Sequence, residues 1–158
     1  MNHLTRLLVI TLLYGSSAAF AAGDVSDSTD ARSSTDPVLA QAQAAFGRKD
    51  WAAAQGGLQK ALAAAPQNAD YHNLYAYSIR KGANPDMALV FKHYAEALRI
   101  DPKHREAHEY AGEAYLMVND LAKARQHLAA LDKLCFLPCE EYKDLKKAIT
   151  AYEAKRKP

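Results

Sequence analysis

Two cysteines near the C-terminus are the residues whose type and spacing most directly suggest chemistry. Cys135 and Cys139 are separated by three residues. Residues four apart on or near a helical turn have Cα atoms about 6 Å apart, inside the range that a disulfide accepts. The closed loop is short, so its entropic stabilisation would be only about 2 kcal/mol. A bond would therefore act locally, by fixing the angle at which the next helix leaves the preceding one.

Thiol or copper chemistry is the alternative interpretation of the same pair. Cys139 stands at the start of a predicted helix, a position that lowers the pKa of a thiol. The C-x-x-x-C spacing also resembles the copper site of cytochrome oxidase assembly proteins of the thioredoxin fold, but the sequence lacks the strand patterns that this fold needs. No C-x-x-C and no haem-attachment C-x-x-C-H is present. A structural disulfide is favoured, and the copper or redox role stays open.

Histidines are the second candidate for chemistry, because His104 and His108 lie one helical turn apart, a spacing that can hold a metal. No H-E-x-x-H accompanies them, and two ligands without a placed third rarely make a selective site. We therefore predict no metal and no cofactor. The sequence also has no nucleophile elbow and no Gly-rich phosphate loop after a strand. We interpret the chain as a non-enzyme.

The first 21 residues predict export. They contain a basic Arg6, the apolar run LLVITLLY, and small residues up to Ala21. That order is typical of a secretory signal peptide cleaved near Ala21. The apolar run is shorter than the roughly 20 residues of a membrane span, so no membrane insertion is expected after cleavage. A periplasmic or secreted bacterial protein follows, and its oxidising compartment favours the disulfide.

Residues 22–36 predict a disordered linker, because they carry four Asp against one Arg and only one sizeable apolar residue. The folded domain is expected to span residues 37–158 as a single unit. The whole chain balances 20 Lys and Arg against 18 Asp and Glu. This balance argues against nucleic acid, which needs a concentrated basic face.

The folded part of the chain is internally repetitive. Apolar residues keep the same offsets and run into a proline in two segments 36 residues apart. Proline cannot continue a helix, so each segment is predicted to be a helix that ends there. The apolar positions recur after a further 34 residues, the period of tetratricopeptide repeats. The three sets are Ala54, Leu58, Ala61 and Pro66; Val90, Tyr94, Ala97 and Pro102; and Ala124, Leu128 and Leu131.

These repeats closely resemble the tetratricopeptide repeat family. The small residue, aromatic and second-helix Ala typical of that family are matched in the third repeat by Gly112, Tyr115 and Ala124. The second repeat is two residues longer than the period, and we place the excess in the turn at residues 82–85. The chain departs from the family where a first-helix Trp is usual, since the residues there are Val38, His72 and His108.

The resemblance implies an all-α fold, a right-handed α-solenoid of three helical hairpins with a C-terminal capping helix. The C-x-x-x-C turn followed by Glu140, Glu141 and Tyr142 is also similar to small exported bacterial proteins with such repeats. The capping helix is expected to cover the open end of the third repeat with an apolar stripe. The implied segments are residues 37–68, 69–103 and 104–135 for the repeats and 139–157 for the capping helix.

In this family the first helices line a concave groove, so the resemblance also implies a partner-binding face. An exposed Tyr77 beside Arg80 is expected to be its hot spot. Neighbouring rows of opposite charge could instead pair with each other. The expected groove residues are Asn73, Tyr77 and Arg80 in the second repeat, Glu106, Glu109 and Glu113 in the third, and Lys143 and Lys147 in the capping helix.

The residues of the carboxylate clamp, by which some relatives hold chaperone C-termini, are absent. The residues in their places are Leu39, Gln43, Leu74, Glu106 and Tyr110. We therefore expect a periplasmic scaffold that binds a protein or peptide partner, in the assembly or organisation of an envelope complex. The alternative is a small periplasmic copper-binding or thiol-redox protein that uses Cys135 and Cys139.

Overall fold

The computed structural model of the protein describes residues 36–156, and all regular secondary structure within this range is helical. This confirms the predicted all-α class for that part of the chain. The predicted signal peptide and nearly all of the predicted linker lie outside the described residues. The helices are α1 (Pro37–Gly47), α2 (Trp51–Ala64), α3 (Ala69–Lys81), α4 (Met87–Ile100), α5 (Arg105–Met117), α6 (Leu121–Leu134) and α7 (Glu140–Ala154).

Side-chain caps set where most of these helices begin. The Asp36 carboxylate accepts hydrogen bonds from the backbone N–H groups of Val38 and Leu39 at 2.8 and 3.3 Å, with Pro37 in the first helical position. His104 caps α5 in the same way, since its Nδ1 accepts the Ala107 N–H at 3.3 Å. Each such cap is worth about 1 kcal/mol. The same device recurs at Asp50, Asn68, Asp86 and Asp120.

The turns within the helix pairs differ in length where the sequence predicts it. Residues 48–50 and 118–120 connect α1 to α2 and α5 to α6, and each of these turns contains one residue with positive φ, Lys49 (56°) and Asn119 (62°). The equivalent turn between α3 and α4 spans residues 82–86, so it is two residues longer. The extra length of the second repeat lies in this turn, as predicted.

Helices that follow one another in the chain pack together, and the odd-numbered helices also contact each other in the order α1, α3, α5, α7. The odd-numbered helices therefore form one row, and α2, α4 and α6 pack behind them. Small side chains such as Ala76, Ala97 and Ala124 are fully buried and let neighbouring backbones approach, while Leu58 and Tyr94 fill the remaining space.

The last helix packs onto α5 and α6. Leu145 and Ile149, from the predicted apolar stripe, are buried in a cluster with Leu116 and Leu131. Contact is closest at Gly112, where an added Cβ would lie 2.6 Å from a methyl carbon of Leu145. No helix in the range 36–156 has both the length and the apolar character needed to cross a membrane.

Candidate functional site

The row of odd-numbered helices brings predicted groove residues of α3 and α5 into direct contact. Arg80 Nη1 lies 2.8 Å from Glu113 Oε2, and the Arg80 side chain is 5% exposed while that of Glu113 is 30% exposed. Seven residues earlier on both helices, Asn73 Nδ2 donates a hydrogen bond to Glu106 Oε2 at 3.1 Å. The neighbouring polar rows therefore pair with each other at these two points.

Two aromatic rings flank the Arg80 guanidinium. Its Cζ lies 5.4 Å from the centroid of the Tyr77 ring and 5.6 Å from that of Tyr110. The two rings are themselves 4.7 Å apart. Arginine over the faces of aromatic rings gains a cation–π interaction that grows as the site is desolvated. Burial is the main cause that raises the pKa of both tyrosines, so both are neutral phenols that can donate a hydrogen bond.

The prediction that Tyr77 and Arg80 form an exposed hot spot is wrong, because Arg80 is buried. Arg80 is only 7% exposed, because its side chain reaches across to α5 instead of into solvent. Tyr77 is half-buried and packs edge-on against Phe46 and Trp51 at centroid distances of 5.1 and 6.1 Å. A partner would therefore meet the edge of an aromatic cluster and not a free Tyr–Arg pair.

Glu109 lies in the same row and has a very different environment from its neighbours. It is buried and makes no hydrogen bond among residues 36–156. Burial, followed by the nearby charges of Glu113, Asp144 and Glu106, raises its pKa to about 8. Burial likewise raises the pKa of Glu106. At neutral pH Glu109 is thus mainly a protonated carboxylic acid at the contact between helices.

Several buried polar atoms around this contact have no hydrogen-bond partner within the described part of the chain. They belong to three side chains that are each less than 9% exposed. An unsatisfied buried donor or acceptor costs about 1–3 kcal/mol, so such groups need a structural or functional reason. The atoms are Asn73 Oδ1, Arg80 Nε, Arg80 Nη2 and Tyr94 Oη.

The two lysines expected to line the groove lie apart from these contacts. Lys143 and Lys147 are exposed on α7, and neither forms an ion pair with another residue of the range 36–156. The ion pair that joins α5 to α7 is Arg105 to Glu141, at 3.4 Å. The lysines therefore present free positive charge beside a row that is rich in carboxyl groups.

The cysteine pair has the predicted geometry. Cys135 and Cys139 lie at disulfide distance, with Sγ atoms 2.07 Å apart and Cα atoms 5.7 Å apart. The loop between them leaves Phe136 fully exposed and Leu137 73% exposed. The sequence analysis did not single out these two apolar side chains, although a five-residue ring has no room to bury them.

The histidines do not form the metal pair considered from the sequence. His104 is the cap of α5 and its Nε2 lies 3.2 Å from an Asp70 carboxylate oxygen, whereas His108 faces His127 on α6. No group of three or more His, Cys, Asp or Glu side chains within residues 36–156 is arranged to hold a metal ion.

Instead, histidines pair across two hairpins. His72 Nδ1 and His93 Nδ1 are 2.8 Å apart, and His72 Nε2 lies 2.9 Å from the Pro66 carbonyl oxygen. His108 and His127 repeat this arrangement, with Nδ1 atoms 3.0 Å apart and His108 Nε2 3.1 Å from the carbonyl oxygen of Pro102. Neither pair was predicted from the sequence, although the signal was present: the first histidines and the prolines recur after 36 residues, and the second histidines recur after 34.

No known protein-family model matches this sequence, and no curated protein is significantly similar to it. The geometry of the site therefore carries the functional argument.

Proposed function

We propose that the protein is a tetratricopeptide-type solenoid that acts as a scaffold in the cell envelope, periplasmic or secreted, and binds a protein or peptide through the row of α3, α5 and α7. It assembles or organises a complex and performs no catalysis. The observation that carries the proposal is the aromatic cluster of Phe46, Trp51 and Tyr77, whose rings contact one another beside this row and are partly exposed.

Charge and aromatic content support the same face. Tyr77 presents its accessible edge there, and aromatic residues are enriched in binding hot spots. Lys143 and Lys147 supply free cations at the end of the row.

The scaffold is preferred to the copper or thiol alternative because of the state of the cysteines. Cys135 and Cys139 are bonded to each other, and the chain contains no other cysteine. A copper site needs thiolate ligands, which this bonded state does not provide. A thiol-redox protein would cycle through this same disulfide, so that alternative requires the two cysteines to be found reduced in the envelope.

Site-specific photo-crosslinking in the intact envelope tests the proposal. A benzoyl-phenylalanine at position 77 keeps an aromatic ring on the row, and the same group at Lys60, exposed on α2, is the matched control on the helices behind it. We expect a discrete crosslinked protein from position 77 and none from position 60. Exchange of both exposed lysines in K143E/K147E should weaken capture more at low salt than at high salt.

Two results would contradict this assignment. Equal crosslinking from positions 60 and 77 would place the partner elsewhere, and capture that is insensitive to the disulfide-preserving K143E/K147E change at low salt would remove α7 from the interface. Crosslinks that map only to Phe136 or Leu137 would move the binding surface to the disulfide loop.

A further inference from the structure

The two histidine pairs have a defined arrangement of protons. A carbonyl oxygen can only accept a hydrogen bond, so Nε2 of His72 must carry the hydrogen that it donates to Pro66. Neutral His72 then has a bare Nδ1, which accepts the N–H of His93 Nδ1. The same reasoning fixes His108 between the Pro102 carbonyl and the Nδ1–H of His127.

This arrangement limits how many protons each pair can hold. One additional proton can be held by His72, because its imidazolium donates from Nε2 to the Pro66 carbonyl and from Nδ1 to the bare Nδ1 of His93, whose own hydrogen then lies on Nε2. A second proton would have to bind His93 Nδ1, and two N–H donors would then face each other across 2.8 Å. Each packed pair therefore holds at most one positive charge, whereas two imidazoles in an unfolded chain each take up a proton near pH 6.5.

Few charged groups lie near the first pair to offset the positive charge of an added proton. His93 lies against the Tyr75 ring on α3, with centroids 4.7 Å apart, and the charged groups near it are Lys92 and Glu96 on α4. Glu96 is already paired with Arg99 at 2.7 Å. Burial, followed by the proximity of His72 and Lys92, lowers the pKa of His93 to about 4.

The second pair has a closely similar environment. The His127 ring stacks on Tyr115 of α5 at 5.5 Å, and Lys123 on α6 lies over the same tyrosine ring. Burial, followed by His108 and Lys123, lowers the pKa of His127 to about 4. Burial also lowers the pKa of His108, which has His104 as a cationic neighbour and Asp101 as an anionic one.

The first hairpin provides an internal contrast. Val38 occupies the position of His72 and His108, and Gly57 lies 36 residues before His93. The contact between α1 and α2 therefore contains no such pair. We propose that the two histidine pairs make the packing of the α3–α4 and α5–α6 hairpins sensitive to acid. When a second proton enters a pair, the helices of that hairpin loosen, whereas the α1–α2 hairpin stays packed.

The sign of the effect follows from proton counts. Both pairs bind fewer protons in the packed state than in the unfolded chain, so stability falls as the pH drops from about 6.5 towards 4. Each proton that is bound only by the unfolded chain changes the unfolding constant about tenfold per pH unit. Two pairs together give a change of about 100-fold per pH unit within this window.

A double variant of the intact chain isolates this contribution. In H93N/H127N the side-chain amide of Asn offers either its N–H or, after rotation, its oxygen to Nδ1 of the facing histidine, so it removes the titratable ring and lets the remaining histidine take up its proton. Between pH 6 and pH 4.5 the unfolding constant of the wild type should rise about 100-fold more per pH unit than that of the variant. Because carboxyl groups titrate in both proteins, the difference between them reports the pairs alone. The matched control is H104N, which removes an imidazole that faces Asp70 and no other histidine and keeps a good helix cap, so it should not flatten the wild-type slope.

Two further measurements keep the proposal open to refutation if the double variant folds poorly. NMR titration of the wild type should show two of the four paired imidazoles still neutral at pH 5, and four imidazoles titrating near pH 6.5 would overturn the proposal. Hydrogen-exchange protection factors should fall between pH 7 and pH 5 in residues 69–100 and 105–134 more than in 37–64. A uniform fall, or identical pH slopes for wild type and H93N/H127N, would also overturn it.

Discussion

Two kinds of helix contact in this protein are built from polar side chains, and they differ in how completely those side chains are satisfied. Between the helices of a hairpin, each hydrogen bond of His72 and His93 has a donor and an acceptor. Along the row of odd-numbered helices, Arg80 meets Glu113, and its other two nitrogen atoms have no hydrogen-bond partner among residues 36–156. The polar groups of the first kind of contact are hydrogen-bonded to each other, whereas the second contains buried polar atoms that have no hydrogen-bond partner within this described part of the chain.

The two regions also respond to pH in opposite directions. The histidine pairs lose stability as the pH falls, because the pKa values of His93 and His127 are depressed in the folded chain. Glu109 has a raised pKa, so its contribution is present in acid and is lost as the pH rises towards about 8. The contribution of Glu109 to the stability of the α3–α5–α7 row is therefore largest at acidic pH, where the histidine pairs destabilise the hairpins.

Replacement of Arg80 should have the largest destabilising effect on the α3–α5–α7 row. In R80A the partly buried Glu113 loses its cation and two tyrosine rings lose a packing partner, so we expect a loss of about 3 kcal/mol in the free energy of unfolding. The control is R99A, whose ion pair with Glu96 at 2.7 Å is exposed, so its removal should cost far less than that of Arg80. Urea unfolding at pH 7 measures both. Similar losses for the two variants would show that the row is not a specially buried contact.

The close approach of α5 and α7 predicts that two glycine-to-alanine substitutions change the stability of the protein in opposite directions. In G112A the new methyl group would lie 2.6 Å from the fully buried Leu145, and overpacking of this kind costs about 1–3 kcal/mol. The better helix propensity of Ala returns only about 1 kcal/mol. In G57A the new methyl group meets nothing within 4 Å, so the same propensity should stabilise α2.

Thermal melting of the two glycine variants is sufficient to decide the point. G112A should melt below the wild type and G57A above it. If both variants gain stability, α7 sits more loosely on α5 than the contact at Leu145 indicates. A partial recovery in G112A/L145V would confirm that the methyl groups of Leu145 cause the loss.

The sequence predicts local features of this fold well. The helix ends before Pro66 and Pro102 and the longer turn after Lys81 depend on residues next to one another in the chain. Their physics is that of single helices and turns, which periodicity and proline placement report directly. The cysteine geometry was predictable for the same reason, since Cys135 and Cys139 are one turn apart.

The environment of the candidate site was less predictable, because it depends on distances between helices. Arg80 reaches Glu113 from 33 positions away, and whether it does so or faces solvent is set by how closely α3 and α5 pack. Helical periodicity places both residues on one face but does not say what covers that face. The buried state of Glu109 has the same origin, since it requires α7 to bring Asp144 and Glu141 alongside.

Replacement of Glu109 by Gln is the mildest test of the contrast between the two regions. The folded pKa of Glu109 is about 8 and its reference value is 4.5, so between these values the unfolded chain releases a proton that the folded chain retains. Stability that is present below pH 4.5 is therefore lost as the pH rises towards 8. The neutral amide of E109Q carries no such penalty. Allowing for solvent screening, we expect E109Q to exceed the wild type by about 1 kcal/mol at pH 7.5 and to match it near pH 4.5. E140Q, at an exposed position of α7, is the control and should show no such pH-dependent gain. If E109Q were less stable than the wild type at pH 7.5, Glu109 would have to be ionised and paired with a cation, and the row would then be a satisfied contact like the histidine pairs.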